Sequence, residues 1–341
     1  MVKTLVAISE RLSYLISMDP LSDLLDAARA RGGAFNRTIL SPPWSLRIAD
    51  GSAIALVTVL RGHAWIVPDD SAPTPVTPGD VAIICCPEPY TIADDPATAP
   101  AVIIHGEGHY TTVDGQDLGD SLRLGPRTCG HSLDGSALVV SGTYQMRGDV
   151  GDRLLSALPQ VLVVPAEDNR GPVLDMVIAE VEKDEPGQQV VLDRLLDLAL
   201  ITTLRAWFAR PEAEAPSWYL AQSDPIVGQA LRCLHDNPAH AWTVAMLASR
   251  AGASRAAFAR RFTELVGEPP MRYLTNWRIA LAADLLRETD ATVESIAERA
   301  GYANAFALSV AFKRVRGISP SRHRKASRLA GTDDTPALEW G

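Results

Sequence analysis

Two arginine residues near the carboxyl end of this 341-residue chain carry the most readily interpreted chemistry. Arg255 and Arg260 follow Ser254 and flank two small residues, Ala256 and Ala259. A guanidinium group presents several N–H donors in one plane, which suits paired hydrogen bonds to phosphate oxygens or to the edge of a guanine base. This segment is therefore a candidate binding surface, and nothing in it suggests catalysis.

The sequence around these residues is repeated about 50 positions later. Thr243-Val244-x-x-Leu247-Ala248 returns as Thr292-Val293-x-x-Ile296-Ala297, and the apolar positions that follow return with one extra residue of spacing. The extra residue lies in a turn, so the sequence predicts a duplicated helix-turn-helix unit. The candidate residues of the second copy are Asn304, Ala305, Phe306, Ser309, Val310, Lys313 and Arg314.

Charge is spread unevenly along the chain. The formal net charge is -9, yet residues 221–330 contain sixteen Lys and Arg against nine Asp and Glu. The remainder contains sixteen against thirty-two. The acidic part cannot form a nucleic-acid face, whereas the basic part can. The duplicated unit in the basic part therefore predicts double-stranded DNA as a partner.

Capping residues and apolar spacing predict which helix faces are exposed. Thr243 and Ser254 are expected to cap successive helices. The positions expected to face the core are Phe258, Phe262 and Leu265 in the first copy and Leu308, Phe312 and Val315 in the second. The candidate residues then point outward. A connecting helix from Pro270 to about Glu288 should hold the two recognition helices in successive major grooves, roughly 34 Å apart.

Length and pattern predict two domains and a fold of the α+β class. The chain before residue 150 has short alternating runs broken by Pro, Gly and Asp, which are typical of a β-sandwich or small barrel. The following segment is expected to be helical, and either mediates a homodimer or simply packs against the β-domain. The predicted boundaries are 18–149 for a sensor domain, 150–210 for the helical segment, 211–217 for a linker, 218–328 for an all-α double helix-turn-helix domain and 329–341 for a disordered tail. Met18 precedes a capped helix and is an alternative start to Met1.

Motifs at fixed spacing recur between Trp242 and Arg324. They are Leu247-Ala248, Gly252-x-Ser254, Arg260-Arg261-Phe262, Gly267-x-x-Pro270, Gly301-Tyr302, Ala311-Phe312-Lys313-Arg314 and Gly317-x-Ser319-Pro320. With these motifs the stretch resembles the DNA-binding domain of the AraC/XylS family of bacterial transcription regulators. The resemblance implies a transcription regulator, with RNA polymerase as a candidate second partner. It implies base reading by Arg255, Ala256, Ala259 and Arg260, and by Asn304, Ala305, Ser309 and Val310.

The second copy departs from that family's pattern. Val310 stands where many members have Arg, and Phe306 replaces a small polar residue. Without a long donor near its start, the second helix can contact thymine methyl groups or serve phosphates, but cannot pair with guanine. Readout is therefore expected mainly from the first helix. The basic residues that are expected to contact phosphates are Lys313, Arg314, Arg316, Arg322 and Arg324.

Motifs in the first domain carry a second resemblance. They are Pro43-Trp44-x-Leu46-Arg47, Gly62-x-x-Trp65, Pro78-Gly79-Asp80 and Leu155-x-x-Leu158-Pro159. With them the domain resembles the cupin-type N-terminal domain of one AraC subgroup. The resemblance implies a small organic effector bound among the strands. Trp44 and Trp65 are the candidate pocket residues, although aromatic residues on strands usually belong to the core.

Two alternatives stand beside effector binding. Cys85, Cys86 and Cys129, the last of which precedes His131 by two positions, could sense oxidants as thiols. A metal-dependent cupin enzyme would need converging histidines, whereas the histidines here are dispersed and His105 and His109 are expected on different faces. No metal, cofactor or catalytic residue is therefore predicted. Cysteine spacing and the lack of a signal peptide or membrane span favour the cytoplasm and exclude a membrane partner.

Overall fold

The computed structural model describes residues 20–21, 35–85, 87–106, 109–125, 127–144, 148–169, 171–210, 213 and 215–332. Cys86, the choice between Met1 and Met18, and residues 333–341 of the predicted tail lie outside these ranges. The chain divides into two compact units. The first comprises residues 28–147 and 154–214, and the second includes residues 148–153 together with residues 215–341.

The first unit is dominated by strands. They are β1 (Phe35–Leu40), β2 (Ser45–Ile48), β3 (Ile54–Arg61), β4 (Ala64–Pro68), β5 (Thr74–Val76), β6 (Val81–Ile84), β7 (Tyr90–Ala93), β8 (Val102–His105), β9 (His109–Thr112), β10 (Arg123–Gly125), β11 (Thr128–Gly130), β12 (Ala137–Tyr144) and β13 (Val161–Val164). β-Branched residues are frequent in the longest ones, such as Val57, Thr58 and Val59 in β3, and these residues pack well on a pleated surface.

These strands form two sheets that share one core. The order in the seven-stranded sheet is β10-β11-β1-β12-β3-β6-β13, and the order in the six-stranded sheet is β5-β4-β7-β2-β8-β9. Val57 and Ile84 from the first sheet and Ile66 and Ile92 from the second belong to one cluster of buried side chains. The predicted α+β class with a β-rich cupin-like first domain is therefore confirmed.

The helical segment of the first unit differs from the expected one. Its helices are α1 (Asp149–Leu155), which begins in the second unit, α2 (Val173–Val181) and α3 (Gln188–Phe208). Between α1 and α2, the predicted helical region contributes strand β13, which pairs with β6. Four apolar residues between Gln160 and Pro165 are too few for a stable helix but complete the sheet edge.

Helix α3 packs against strand β12. The Tyr144 hydroxyl donates a hydrogen bond to the Leu196 carbonyl, and a Cβ at Gly142 would lie only 2.6 Å from Leu196 Cδ1. One face of α3 therefore covers the sheet, as the packing interpretation predicted. Val190 and Leu198 remain 62% and 43% exposed on the same helix.

The second unit is helical. After residues 149–153 of α1, its helices are α4 (Ser217–Leu220), α5 (Val227–Asp236), α6 (Val244–Arg250), α7 (Arg255–Val266), α8 (Pro270–Glu288), α9 (Val293–Arg299), α10 (Ala305–Arg316) and α11 (Pro320–Thr332). Residues 329–332, which were expected to begin a disordered tail, continue α11. The preceding residues include three Arg, one Lys and one Ala, which favour helix propagation.

Two separate cores stabilise this unit. Phe258 and Phe262 belong to the first core, and Leu308 and Phe312 belong to the second. Helix α8 contributes to both, since Tyr273 lies in the first core and its later residues lie in the second. The 19 residues of α8 span about 28 Å. The predicted connecting helix from Pro270 to Glu288 is confirmed.

Candidate nucleic-acid interface

The first helix-turn-helix unit is closed by side-chain caps at both helix starts. Thr243 Oγ1 accepts a hydrogen bond from Met246 N at 3.2 Å, and Ser254 Oγ accepts one from Ala257 N at 3.3 Å. These caps satisfy amides that the helices leave unpaired at their N-termini. Both predicted caps are confirmed.

Helix α7 presents a basic outer face. Arg255, Ala256 and Arg260 are exposed, while Ala259 is half-buried. The side chain of Arg260 is 77% exposed, and its Nε lies 3.7 Å from Glu264 Oε1. Such a solvated ion pair contributes little, so the guanidinium can be redirected to another acceptor at small cost.

Helix α10 begins with different chemistry. Asn304 Oδ1 accepts a hydrogen bond from Ala307 N at 2.9 Å, and Glu294 Oε2 accepts one from Ala305 N at 2.9 Å. A carboxylate is therefore bound where the helix dipole would otherwise attract a phosphate. The sequence pattern did not reveal this role of Glu294.

Apolar and basic residues follow along the outer face of α10. Phe306 is 78% exposed and Val310 is 54% exposed. Lys313 and Arg314, one to two turns further on, are also exposed, whereas Ala305 and Ser309 are half-buried.

The expected inward face is right at two of three positions in each copy. Phe258, Phe262, Leu308 and Phe312 are fully buried. Leu265 is 37% exposed and Val315 is 41% exposed, so neither is a core residue. Each is the last residue but one of its helix, beyond the aromatic side chains that fill the two cores.

Arg278 on α8 ties the two helix-turn-helix units together. Its Nε donates to the Pro238 carbonyl at 2.6 Å and its Nη2 donates to the His240 carbonyl at 2.7 Å, both in the loop before the first unit. The same guanidinium lies 5.8 Å from the centre of the ring of Tyr302, which is in the turn of the second helix-turn-helix unit. Helix α8 and Arg278 thus restrict the spacing of the two recognition helices.

Gly301 allows the second turn to approach that loop. Its φ is +77°, and a Cβ there would lie 2.7 Å from the Ala239 Cα. Only glycine accommodates both the left-handed backbone and this close approach.

Two of the five basic residues that were expected to contact phosphates instead bind other residues of the helical part of the protein. Arg316 forms an ion pair with Asp149 at 2.7 Å, and Arg324 donates hydrogen bonds to the carbonyls of Leu286 and Ala291. Lys313, Arg314 and Arg322 remain exposed. The basic surface available beside α10 is therefore narrower than the sequence indicated.

Comparison with known proteins identifies the family. A cupin family model matches residues 19–209, and a helix-turn-helix domain model matches residues 247–326. A putative AraC-like transcription regulator of Streptomyces lividans is 32% identical over 313 residues, which cover 90% of this chain and 98% of that protein. The chain belongs to the AraC family of transcription regulators.

Two further proteins show the extent of the similarity. The regulator AlkR of Acinetobacter baylyi is 28% identical over 91% of this chain and its own full length. The DNA-binding domain of AdpA, solved in complex with a target DNA, is 35% identical, covers 32% of this chain and 96% of its own, and has a TM-score of 0.30. As its family and the two matching domain models indicate, this chain is a DNA-binding transcription regulator with a cupin ligand-binding domain. Among the described residues, no helix has the length and apolar character needed to cross a membrane.

The two tryptophans of the cupin domain lie on different faces of the sheets and do not line one pocket. Trp44 is 5% exposed and belongs to the core between the sheets. Trp65 is half-buried and alternates with Ala64 and Ile66, which are core residues, so it lies on the opposite face of β4. Trp44 Nε1 is buried and has no hydrogen-bond partner within the part of the chain that the structure describes.

The cysteines of the regulator are also far apart. Cys129 on β11 and Cys85, just after β6, lie on strands separated by β1, β12 and β3. Four strand spacings amount to roughly 19 Å, whereas a disulfide needs Cα atoms within about 7 Å. Cys129 Sγ lies 3.1 Å from the Tyr110 hydroxyl, and burial together with this thiol raises the pKa of Tyr110. His131 is exposed.

His105 and His109 lie on one face, contrary to the expectation. They are opposite each other across the β8–β9 hairpin, and their ring centres are 5.0 Å apart. The hairpin converts a spacing of four residues into a cross-strand pair. His105 Nε2 lies 3.0 Å from Thr111 Oγ1. Within the described ranges, no group of three or more His, Cys, Asp or Glu residues is placed to hold a metal ion.

Proposed function

We propose that this regulator reads promoter DNA mainly through Arg255 and Arg260 of α7, with α10 in the adjacent major groove. Exposed guanidinium groups near the start of a recognition helix support this assignment, because that end of the helix meets base edges. Arg is also the side chain best suited to paired hydrogen bonds with guanine. Ser254, Ala256 and Ala259 complete the surface of α7, and Asn304, Ala305 and Ser309 contribute from α10.

Footprinting of the full-length protein on a selected operator tests this placement. Two protected segments about one helical turn apart are expected, because α8 and Arg278 hold the units at a restricted spacing. The double variant Arg255→Ala/Arg260→Ala should lose base selectivity while retaining weak, salt-sensitive binding. A single short protected segment, or unchanged selectivity in the double variant, would contradict the proposal.

A small organic effector in the sensor core is the second part of the proposal. Trp44 supports it, because a buried indole N–H without a partner costs about 1–3 kcal/mol. An effector that offers an acceptor would remove that cost. Thermal-shift screening should identify compounds that stabilise the wild type more than Trp44→Phe, which keeps an aromatic side chain but lacks the donor. Compounds that stabilise both proteins equally would exclude this role of Trp44.

Oxidant sensing through Cys85 and Cys129 is a less favoured alternative, since the two thiols are too distant for a direct disulfide. Homodimerisation is proposed through α3 and α2, where Val190, Val191, Leu198 and Met176 are exposed. Contact with RNA polymerase, a cytoplasmic location and the absence of enzymatic activity are proposed in line with regulation of transcription.

A further inference from the structure

We propose that Phe306 and Val310 of α10 form a surface that recognises the methyl groups of thymine. We refer to these two residues as the α10 apolar pair. This inference rests on the proposed DNA-binding role of α10. It specifies what the second recognition helix reads, namely T·A pairs in one half of the operator.

The exposure of the α10 apolar pair is the first argument. Phe306 is 78% exposed and Val310 is 54% exposed, although Leu308 and Phe312 on the same helix are fully buried. Residues four apart lie on one face of a helix, so the two apolar side chains adjoin. The second core is already filled without them. The pair lies on the outward face near the start of a recognition helix, which is the part that meets base edges.

The chemistry of the major groove selects that ligand. Base edges in this groove present hydrogen-bond donors and acceptors, and the C5-methyl group of thymine is the distinctive apolar feature. Neither member of the α10 apolar pair carries a polar side-chain atom. The nearby Ala305 and Ser309 are short and half-buried. The start of α10 therefore cannot pair with guanine as Arg can, but it can bury a methyl group.

The surroundings of the pair favour DNA over an apolar protein surface. Lys313 and Arg314 are exposed on the turns that follow, where they can contact phosphates on either side of the groove. At the other end, the Glu294 carboxylate already binds the Ala305 amide at 2.9 Å. A phosphate is thus disfavoured at the helix start, which leaves base edges as the partner of Phe306.

A scan of thymine methyl groups tests the proposal with the full-length protein. The operator is first selected from random duplexes, and each thymine is then replaced individually by uracil, which differs only in lacking the methyl group. Burial of one such group is worth about 0.8 kcal/mol, or about a fourfold change in affinity. Wild-type protein should bind about fourfold more weakly at one or more positions within a single half-site.

Substitutions assign the effect to the α10 apolar pair. The double variant Phe306→Ala/Val310→Ala should bind thymine and uracil duplexes equally at those positions. Val315→Ala is the matched control, since it removes an apolar side chain that is 41% exposed near the other end of the same helix, and it should keep the fourfold difference. Phe306 is exposed, so its truncation should leave the melting temperature unchanged.

Three results would overturn the inference. One is selective binding by wild-type protein without sensitivity to uracil. Another is a fourfold difference that persists in the double variant Phe306→Ala/Val310→Ala. The third is normal DNA binding by Phe306→Ala with loss of transcription activation alone, which would assign the pair to a protein partner. Failure to bind any duplex selectively would instead overturn the proposed function, and this inference with it.

Discussion

The two helix-turn-helix units share a backbone plan but reverse the order of chemistry along their recognition helices. Counting 50 residues from the first to the second, Arg255 becomes Ala305, Ala256 becomes Phe306, Arg260 becomes Val310, Thr263 becomes Lys313 and Glu264 becomes Arg314. Helix α7 is thus basic near its start and carries an acid in its last turns. Helix α10 is apolar near its start and basic toward its end.

The N-termini of α7 and α10 also differ in charge. Ser254 and Asn304 cap α7 and α10 in equivalent ways. In the second unit, however, Glu294 adds a carboxylate at the helix start, whereas the matching position of the first unit is Ala245. The comparison indicates that a duplicated scaffold keeps its caps and core while its exposed positions diverge toward different DNA contacts.

The largest expected effect concerns the separate apolar cores of the two helix-turn-helix units. Phe258→Ala and Phe312→Ala should each lower the free energy of unfolding by about 3–5 kcal/mol, because both rings are fully buried. Hydrogen exchange of the full-length protein should show faster exchange in α5, α6 and α7 for the first variant and in α9 and α10 for the second. Leu265→Ala, at an exposed position, is the control. If either variant lost protection equally in both helix-turn-helix units, the two cores would not unfold separately.

Local sequence signals predicted the scaffold of these units well. The Thr243 and Ser254 caps, the buried Phe258 and Phe312 and the extent of α8 all depend on residues close in sequence. The short alternating runs before residue 150 likewise indicated that the first domain consists of strands. Short-range periodicity carries this information because burial alternates with the geometry of each element.

Features set by distant contacts were not predictable in the same way. The pairing of Arg316 with Asp149 joins residues 167 positions apart, and no local pattern marks it. The shared face of His105 and His109 depends on the hairpin register, and β13 is a strand because β6 offers an unpaired edge. The helix-start role of Glu294 depends on how α9 and α10 meet.

Two carboxylates extend the comparison to pH dependence. Asp224 accepts hydrogen bonds from the amides of Ile226 and Val227, and bonding to Arg261 lowers its pKa. Asp284 accepts from the amides of Asp149 and Val150 in an analogous way, yet burial raises its pKa to about 6. The difference follows from burial, which is the dominant influence on Asp284, whereas the hydrogen bond from Arg261 is the dominant influence on Asp224. Arg287, which Asp284 shares with Glu288, lowers the pKa of Asp284 by less than burial raises it.

Opposite pH profiles are therefore expected for Asp224→Asn and Asp284→Asn. A lowered pKa stabilises the fold above pH 4, so the cost of Asp224→Asn should shrink as the pH falls through that value. A raised pKa means that the folded protein binds a proton more readily than the unfolded chain, which stabilises the fold as the pH falls. The advantage of wild type over Asp284→Asn should therefore grow as the pH is lowered from about 7 to about 4. The growth should reach about 2–3 kcal/mol, because the Asp284 side chain is 14% exposed. Urea unfolding across this range, with Glu298→Gln as a control, measures both profiles. If the effects of the two substitutions on stability changed with pH in the same direction, the proposed difference between Asp224 and Asp284 would be wrong.

Affinity for DNA should depend more on α7 than on α10. Arg260→Ala should weaken specific binding by about 1–3 kcal/mol, because it removes a guanidinium that can pair with guanine. Val310→Ala removes two methyl groups and should cost less. Gel-shift titrations at fixed salt compare the two variants, and Arg272→Ala, an exposed arginine on α8, controls for general loss of charge. Equal losses at positions 260 and 310 would mean that both helices contribute equally to readout.

The smallest expected effect concerns the carboxylate at the start of α10. Glu294→Gln should increase DNA affinity by roughly 0.3–1 kcal/mol, since a negative charge beside the phosphate backbone is removed while an oxygen remains to accept from the Ala305 amide. The gain should diminish at high salt, because salt screens exposed charges. Glu298→Gln, one turn further along α9, removes the same charge away from the helix start and should change affinity less. Weaker binding by Glu294→Gln would mean that ordering the start of α10 matters more than the repulsion, and the contrast with Ala245 would then reflect helix stability.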